Sequence, residues 1–148
     1  IRLLNNHLQT TSVSQNRKKW ERELATDNTR REAQAVQDAA ETLHENFVKR
    51  AFQTDSICQL ATASPHPVLV CGDFNSLPSS YTYHRLSESL KDGFKTGGHG
   101  YMYTYRYGKR MLRIDYAFHS PELECTDYYS PNLDLCSDHN PVIFTVKY

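Results

Sequence analysis

Glycine and proline, the strongest local breakers of regular structure, are confined to one part of this chain. All six glycines fall between Gly72 and Gly108, and all six prolines lie at Pro65 or later. Residues 1–64 are therefore free to run as a strand followed by long helices, whereas the remainder is cut into short pieces. Ile1–Leu8 reads as a strand, and Ser14–Ala25, polar around Trp20 and Leu24, as a short surface helix. Thr29-Arg30-Arg31-Glu32 has the hydroxyl-to-carboxylate spacing of a capping box. Ala33, Val36, Ala40, Leu43 and Phe47 follow at steps of three and four, which predicts a helix with that face packed on something flat.

Beyond Pro67, Val68–Cys71 is short, branched and bounded, the pattern of a buried strand with Cys71 as a buried thiol. Tyr81–Leu90 predicts a short helix, and Gly97-Gly98-His99-Gly100 a mobile loop. Tyr101, Tyr103, Tyr105 and Tyr107 alternate with Met102, Thr104 and Arg106, which predicts a strand with one tyrosine-rich face. Gly108-Lys109 would turn that strand into a hairpin returning through Leu112–His119, with later strands over Leu123–Tyr129 and Val142–Lys147. No internal repeat or low-complexity linker divides residues 1–148, so the chain reads as one unit. No apolar run approaches the roughly 18 residues that span a bilayer.

The 17 basic and 17 acidic residues cancel, which argues against a general coat for polyanions. Their distribution is uneven. Arg85 to Arg113 holds seven basic residues against two acidic, and Ile114 to Tyr148 six acidic against one basic. A basic, tyrosine-lined hairpin beside an acidic segment suits a phosphate ester near a divalent cation; equally, Lys and Arg protect an exposed strand edge. The four cysteines lie far apart, without the close pairs of a zinc site.

Three clusters carry chemistry. Gly72-Asp73-Phe74-Asn75 follows directly on the buried strand, with positions 73 and 75 able to face one side at a sheet mouth. Arg113-Ile114-Asp115-Tyr116 places a carboxylate in an otherwise apolar strand, which needs a partner, either Arg113 or a histidine. Ser137-Asp138-His139-Asn140-Pro141 supplies a histidine just before the last strand.

In order and spacing, these clusters resemble the C-terminal motifs of the endonuclease/exonuclease/phosphatase family, and Asn6-His7-Leu8 resembles its Thr-His-Leu strand. The resemblance implies an α/β (α+β) fold: the C-terminal half of a two-sheet α/β sandwich with flanking helices and mixed or antiparallel strands. It implies a Mg²⁺-dependent phosphoesterase, with Mn²⁺ a possible substitute, acting on a phosphate ester of a nucleic acid, a lipid head group or a sugar. On that basis Asp73 orients or deprotonates the attacking water and Asn75 positions water or phosphate. Asp115 holds His139, which contacts the phosphate or acts as base, while His7 donates to a phosphate or leaving-group oxygen. Asp138 binds the metal, and Tyr103 and Arg106 contact substrate. The family's early Asn and metal-binding Glu have no match here; Glu32, Glu41 and Glu45 do not fit that motif. The expectation is therefore a chain that is inactive without an N-terminal half and self-associates through uncovered sheet surface. The alternative is a non-catalytic module that keeps the fold and binds phosphate-bearing partners.

Overall fold

Alternating side chains along one short strand decide which face of the molecule becomes core and which becomes site. The computed structural model describes residues 1–12, 16, 19–22, 25, 29–107, 109–133 and 136–148. Strand β1 (Arg2–His7) pairs in parallel with β2 (Val68–Asp73), β2 pairs antiparallel with β4 (Asp115–His119), and β4 with the two-residue β3 (Lys91–Asp92), giving the order β1-β2-β4-β3. A second, antiparallel pair joins β5 (Glu124–Tyr129) to β6 (Ile143–Lys147). Helices α1 (Thr29–Thr62), α2 (Tyr81–Ser87) and the single turn α3 (Gly93–Gly97) complete the described elements.

Val68 and Val70 of β2, with Tyr116 and Phe118 of β4, face the helices and pack with Ile57, Cys58, Ala61, Tyr83 and Leu86. The opposite face carries Cys71 and Ala117, which meet Cys125, Tyr128, Phe144 and Val146 of the second sheet. Period-two alternation thus produces a layered α/β arrangement with two cores. Gly72 makes the first pairing possible: at φ +134°, a Cβ there would stand 1.8 Å from the Asn6 carbonyl oxygen.

The strands at Ile1–Leu8, Val68–Cys71, Leu123–Tyr129 and Val142–Lys147 form where the sequence places them, as does the helix from Tyr81. The helix expected over Ser14–Ala25 lies largely outside the described residues. Three expectations are corrected. First, α1 does not bury Ala33, Val36, Ala40, Leu43 and Phe47; Val36 and Phe47 are 58% and 55% exposed, and Ala35, Asn46, Arg50, Thr54, Ile57, Cys58 and Ala61 are buried instead. A 34-residue helix is about 50 Å long, far longer than the strands, and only its C-terminal part, through Ile57, Cys58 and Ala61, packs into the core with the sheet. Second, residues 101–107 form no strand. Only Tyr105 bridges, to Leu112 and to His139. The alternation survives, however, since Met102 and Thr104 are buried while Tyr101 and Tyr107 are exposed. Third, Cys71 is half-buried, with its thiol 3.8 Å from Asn5 Oδ1, and all four cysteines are free.

A buried ion pair anchors the start of β4. Arg113 donates to both oxygens of Asp92, at 3.2 and 2.8 Å, and Tyr83 donates to Asp92 Oδ2 at 2.7 Å. The guanidinium also lies 4.7 Å from the Tyr116 ring and 4.8 Å from Phe94. Removing one partner of such a pair leaves an uncompensated buried charge. Arg113→Met is expected to lower the unfolding free energy by about 3–5 kcal/mol, read as a fall in the urea midpoint with an unchanged slope.

Candidate functional site

Strand register builds the site. His7 sits opposite Asp73 in the parallel pairing, and Asp73 opposite Asp115 in the antiparallel one, so the three lie in one row across the sheet. Beyond Asp73 the chain turns. Asn75 adopts φ +47°, a left-handed conformation that Asn tolerates better than most residues. Its backbone N–H donates to Asp73 Oδ1 at 2.8 Å, and its side-chain amide donates to Asp73 Oδ2 at 3.1 Å and to the Leu8 carbonyl at 3.2 Å.

His139 arrives from the loop before β6. Its Nδ1 lies 2.8 Å from Asp115 Oδ2 and its Nε2 3.9 Å from Asp73 Oδ2, so the ring bridges the two carboxylates. His7 Nε2 approaches the same Asp73 oxygen at 3.6 Å from the solvent side, where its side chain is 76% exposed. The choice of partner for Asp115 is thereby settled: His139 takes it, because Arg113 is committed to Asp92.

The electrostatics follow. The hydrogen bond that His139 donates to Asp115 raises the His139 pKa, against a smaller desolvation effect. Burial raises the pKa of Asp73, and the neighbouring Asp115 adds to this, while the Asn75 N–H and the two histidines oppose it. Asp73, Asp115 and His139 present donor atoms within 4.8 Å of one another, a set able to hold a metal ion. The carboxylate oxygens fit a hard divalent cation, which prefers oxygen ligands and retains several waters. The His139 nitrogen facing Asp115 is already engaged. Beneath the cluster, a groove of about 250 Å³ is lined by Asn5, Cys71, Asp73, Asp115 and Asn140 among others. The buried Asn140 carboxamide has no hydrogen-bond partner among the described residues, so this groove has polar capacity for ordered water.

Five of the sequence-derived residues, His7, Asp73, Asn75, Asp115 and His139, thus converge. Asp138 and Arg106 do not join the cluster. Asp138 is exposed and, with Arg106, Tyr107, Arg110, Cys136 and Ser137, lines an open cavity of about 670 Å³. Arg106 is tied to this loop through its N–H to the Asp138 carbonyl at 2.8 Å and its guanidinium to the Ser137 carbonyl at 2.9 Å. Tyr103 is half-buried, and its described contact is a backbone one, its carbonyl accepting from Ser130 Oγ at 3.5 Å. The tyrosine that reaches the site is Tyr105, whose ring stands edge-on to His139 with centroids 5.1 Å apart. The alternation of residues 101–107 carried that signal without saying which tyrosine would meet the histidine.

A sequence model of the Endonuclease/Exonuclease/phosphatase family matches residues 9–139. No curated protein matches the sequence at a significant level. Among solved structures, a functionally unknown conserved protein from Enterococcus faecalis superposes with a TM-score of 0.61 at 18% identity, covering 68% of this chain and 45% of that one. An endonuclease/exonuclease/phosphatase from Bacteroides vulgatus gives 0.56 at 26% identity, covering 70% and 44%. A mannosyl-6-phosphatase from Bacteroides thetaiotaomicron gives 0.50 at 22% identity, covering 70% and 46%. The chain spans less than half the length of each of these structures.

The Asp115–His139 couple makes stability depend on pH with a definite sign. The folded state binds the His139 proton more tightly than the unfolded chain, whose reference value is 6.5. The resulting stabilisation is fully present below that value and is lost as pH rises through the higher folded pKa. Thermal melts from about pH 6 to about pH 9 are expected to show this decline. Asp115→Asn is expected to remove it.

Proposed function

The chain belongs to the Endonuclease/Exonuclease/phosphatase family, and on that premise we propose that it carries the proton-handling half of a divalent-cation-dependent phosphoesterase. The observation that supports this reading is the single row His7–Asp73–Asp115 with His139 bridging its two carboxylates. Half-buried carboxylates are costly side by side, and a site that accepts them at the end of a strand pair suits a cationic or phosphate-bearing occupant.

In this reading Asp73 takes the proton of a water molecule that attacks phosphorus, while the bond to the leaving-group oxygen breaks. Asn75 holds Asp73 through both of its hydrogen bonds to that carboxylate, which makes it a positioning residue. His139 in its protonated form donates from Nε2 to a phosphate oxygen, and Asp115, accepting from Nδ1, orients the ring and keeps it protonated. The exposed His7 donates to the leaving group. A Mg²⁺ ion, replaceable by Mn²⁺, would be held by the oxygens of Asp73 and Asp115, neutralising phosphate charge and acidifying water. Arg106 and Arg110, in the adjoining cavity, would meet the rest of an anionic substrate. Nucleic acids, lipid head groups and sugar phosphates all present the ester this site handles.

Hydrolysis of bis-p-nitrophenyl phosphate with Mg²⁺ tests the reading, using the chain alone and the chain combined with the N-terminal half that the family resemblance implies. Turnover is expected in the combination, with loss on chelation, and Asp73→Asn is expected to cost about 10²–10⁴-fold in kcat. Absence of turnover in a demonstrably assembled combination would favour the binding-module alternative. The pH profile is expected to be a bell, because Asp73 must be ionised and His139 protonated.

A further inference from the structure

Within the site proposed above, the geometry points to Thr104 as the positioning residue that sets the Asp115–His139 distance. Thr104 is fully buried. Its hydroxyl oxygen accepts two backbone N–H groups, from Ile114 at 3.0 Å and from Asp115 at 3.1 Å. Its carbonyl accepts the Asn140 N–H at 2.7 Å, and its own N–H donates to the Leu112 carbonyl at 2.9 Å. One side chain and one peptide carbonyl therefore fasten the backbone of Asp115 and the backbone immediately after His139 to the same residue.

The β2–β4 ladder reaches Asp115 and a single bridge joins Tyr105 to His139, whereas Thr104 bonds to the backbone at both places. The described part of residues 101–110 belongs to no strand, and β4 begins only at Asp115. Without the hydroxyl, two part-buried N–H groups at the start of β4 lose their acceptor, at a cost that drives the backbone to find another. A hydrogen bond of 2.8 Å tolerates little of that movement, and functional groups of this kind need placement to within about 0.5 Å. Valine matches threonine in shape and lacks the acceptor, so Thr104→Val removes this fastening while leaving the packing in place. Serine retains the acceptor and loses only a methyl group.

The direct test is proton NMR of the metal-free 148-residue chain, following the far-downfield resonance of a His139 Nδ1–H donated to a carboxylate, assigned by its disappearance in His139→Asn. The resonance is expected in the parent and in Thr104→Ser, and its loss is expected in Thr104→Val with far-UV circular dichroism unchanged. Should valine prevent folding, Thr104→Ala carries the same comparison. Persistence in the valine or alanine variant, loss in the serine variant, or absence from the parent would each overturn the proposal. In the assembled enzyme, Thr104→Val is expected to lower kcat about 10- to 100-fold with little change in KM, and serine to restore it. Because the NMR result needs no turnover, failure of the phosphoesterase reading leaves it standing, and the two can fail separately.

Discussion

Two carboxylates directly opposite one another on adjacent strands are the constraint around which the rest of the molecule is arranged. Asp73 and Asp115 occupy paired positions of β2 and β4, and like charges so placed oppose strand pairing. The conflict is relieved by neighbours drawn from three separate segments. Asn75 supplies two donors to Asp73, His7 and His139 approach it, and His139 takes Asp115. Relief is incomplete, since burial and the facing Asp115 still push the Asp73 pKa upward. A sheet that retains such a pair at its open end holds electrostatic free energy that a bound cation would recover, which is why the arrangement makes more sense as a site than as scaffold.

That arrangement depends on keeping the other acids and bases of the neighbourhood out of it. Arg113 is only two residues from Asp115, yet it is held by Asp92, with Tyr83 completing the carboxylate's hydrogen bonds and Asp92 also capping α3 through the Phe94 N–H. Alternation alone would put Arg113 and Asp115 on one side of an extended chain; β4 starts only at Asp115, and the backbone before it turns Arg113 toward the aromatic cluster of Tyr83, Phe94 and Tyr116. An arginine left near the carboxylates would compete with His139 for Asp115.

What was legible in the sequence was local. Val68–Cys71 reads as strand because branched residues are bounded by turn formers, and Gly72-Asp73-Phe74-Asn75 reads as a strand-end site because glycine lets the chain turn and positions 73 and 75 can face one side; that a side chain at 72 would strike Asn6 emerges only in the structure. The Asp115–His139 pairing was one of two open choices, decided by Asp92, which lies 21 residues from Arg113. The strand expected over the tyrosines was illegible for a related reason. Residue Thr104 spends its hydrogen bonds on Ile114, Asp115, Leu112 and Asn140, partners that no periodicity in residues 101–107 announces. Period-two patterning separated the two faces of residues 101–107 while misjudging the hydrogen-bonding pattern, because alternation reports extended backbone and not a ladder.

Helix α1 shows the same limit and also explains a cost. Its most regular apolar spacing lies on the overhanging, exposed part, whereas its buried stripe includes Asn46, Arg50 and Thr54. Those polar residues are expensive to bury unless they bond to something. Arg50 donates to the Gln9 carbonyl at 2.7 Å, the Asn46 amide reaches the Thr11 carbonyl and Ser12 Oγ, and Gln53 accepts the Gln9 N–H at 2.9 Å. All of these partners lie in residues 9–12, directly after His7 and Leu8. Leu8 is itself fastened by its N–H to the Asp73 carbonyl and by its own carbonyl to the Asn75 amide. The helix therefore holds the segment that leaves β1, and with it the end of the strand on which His7 stands opposite Asp73. A purely apolar helix face would pack the sheet equally well but would leave that segment's backbone groups without partners at the edge of the site.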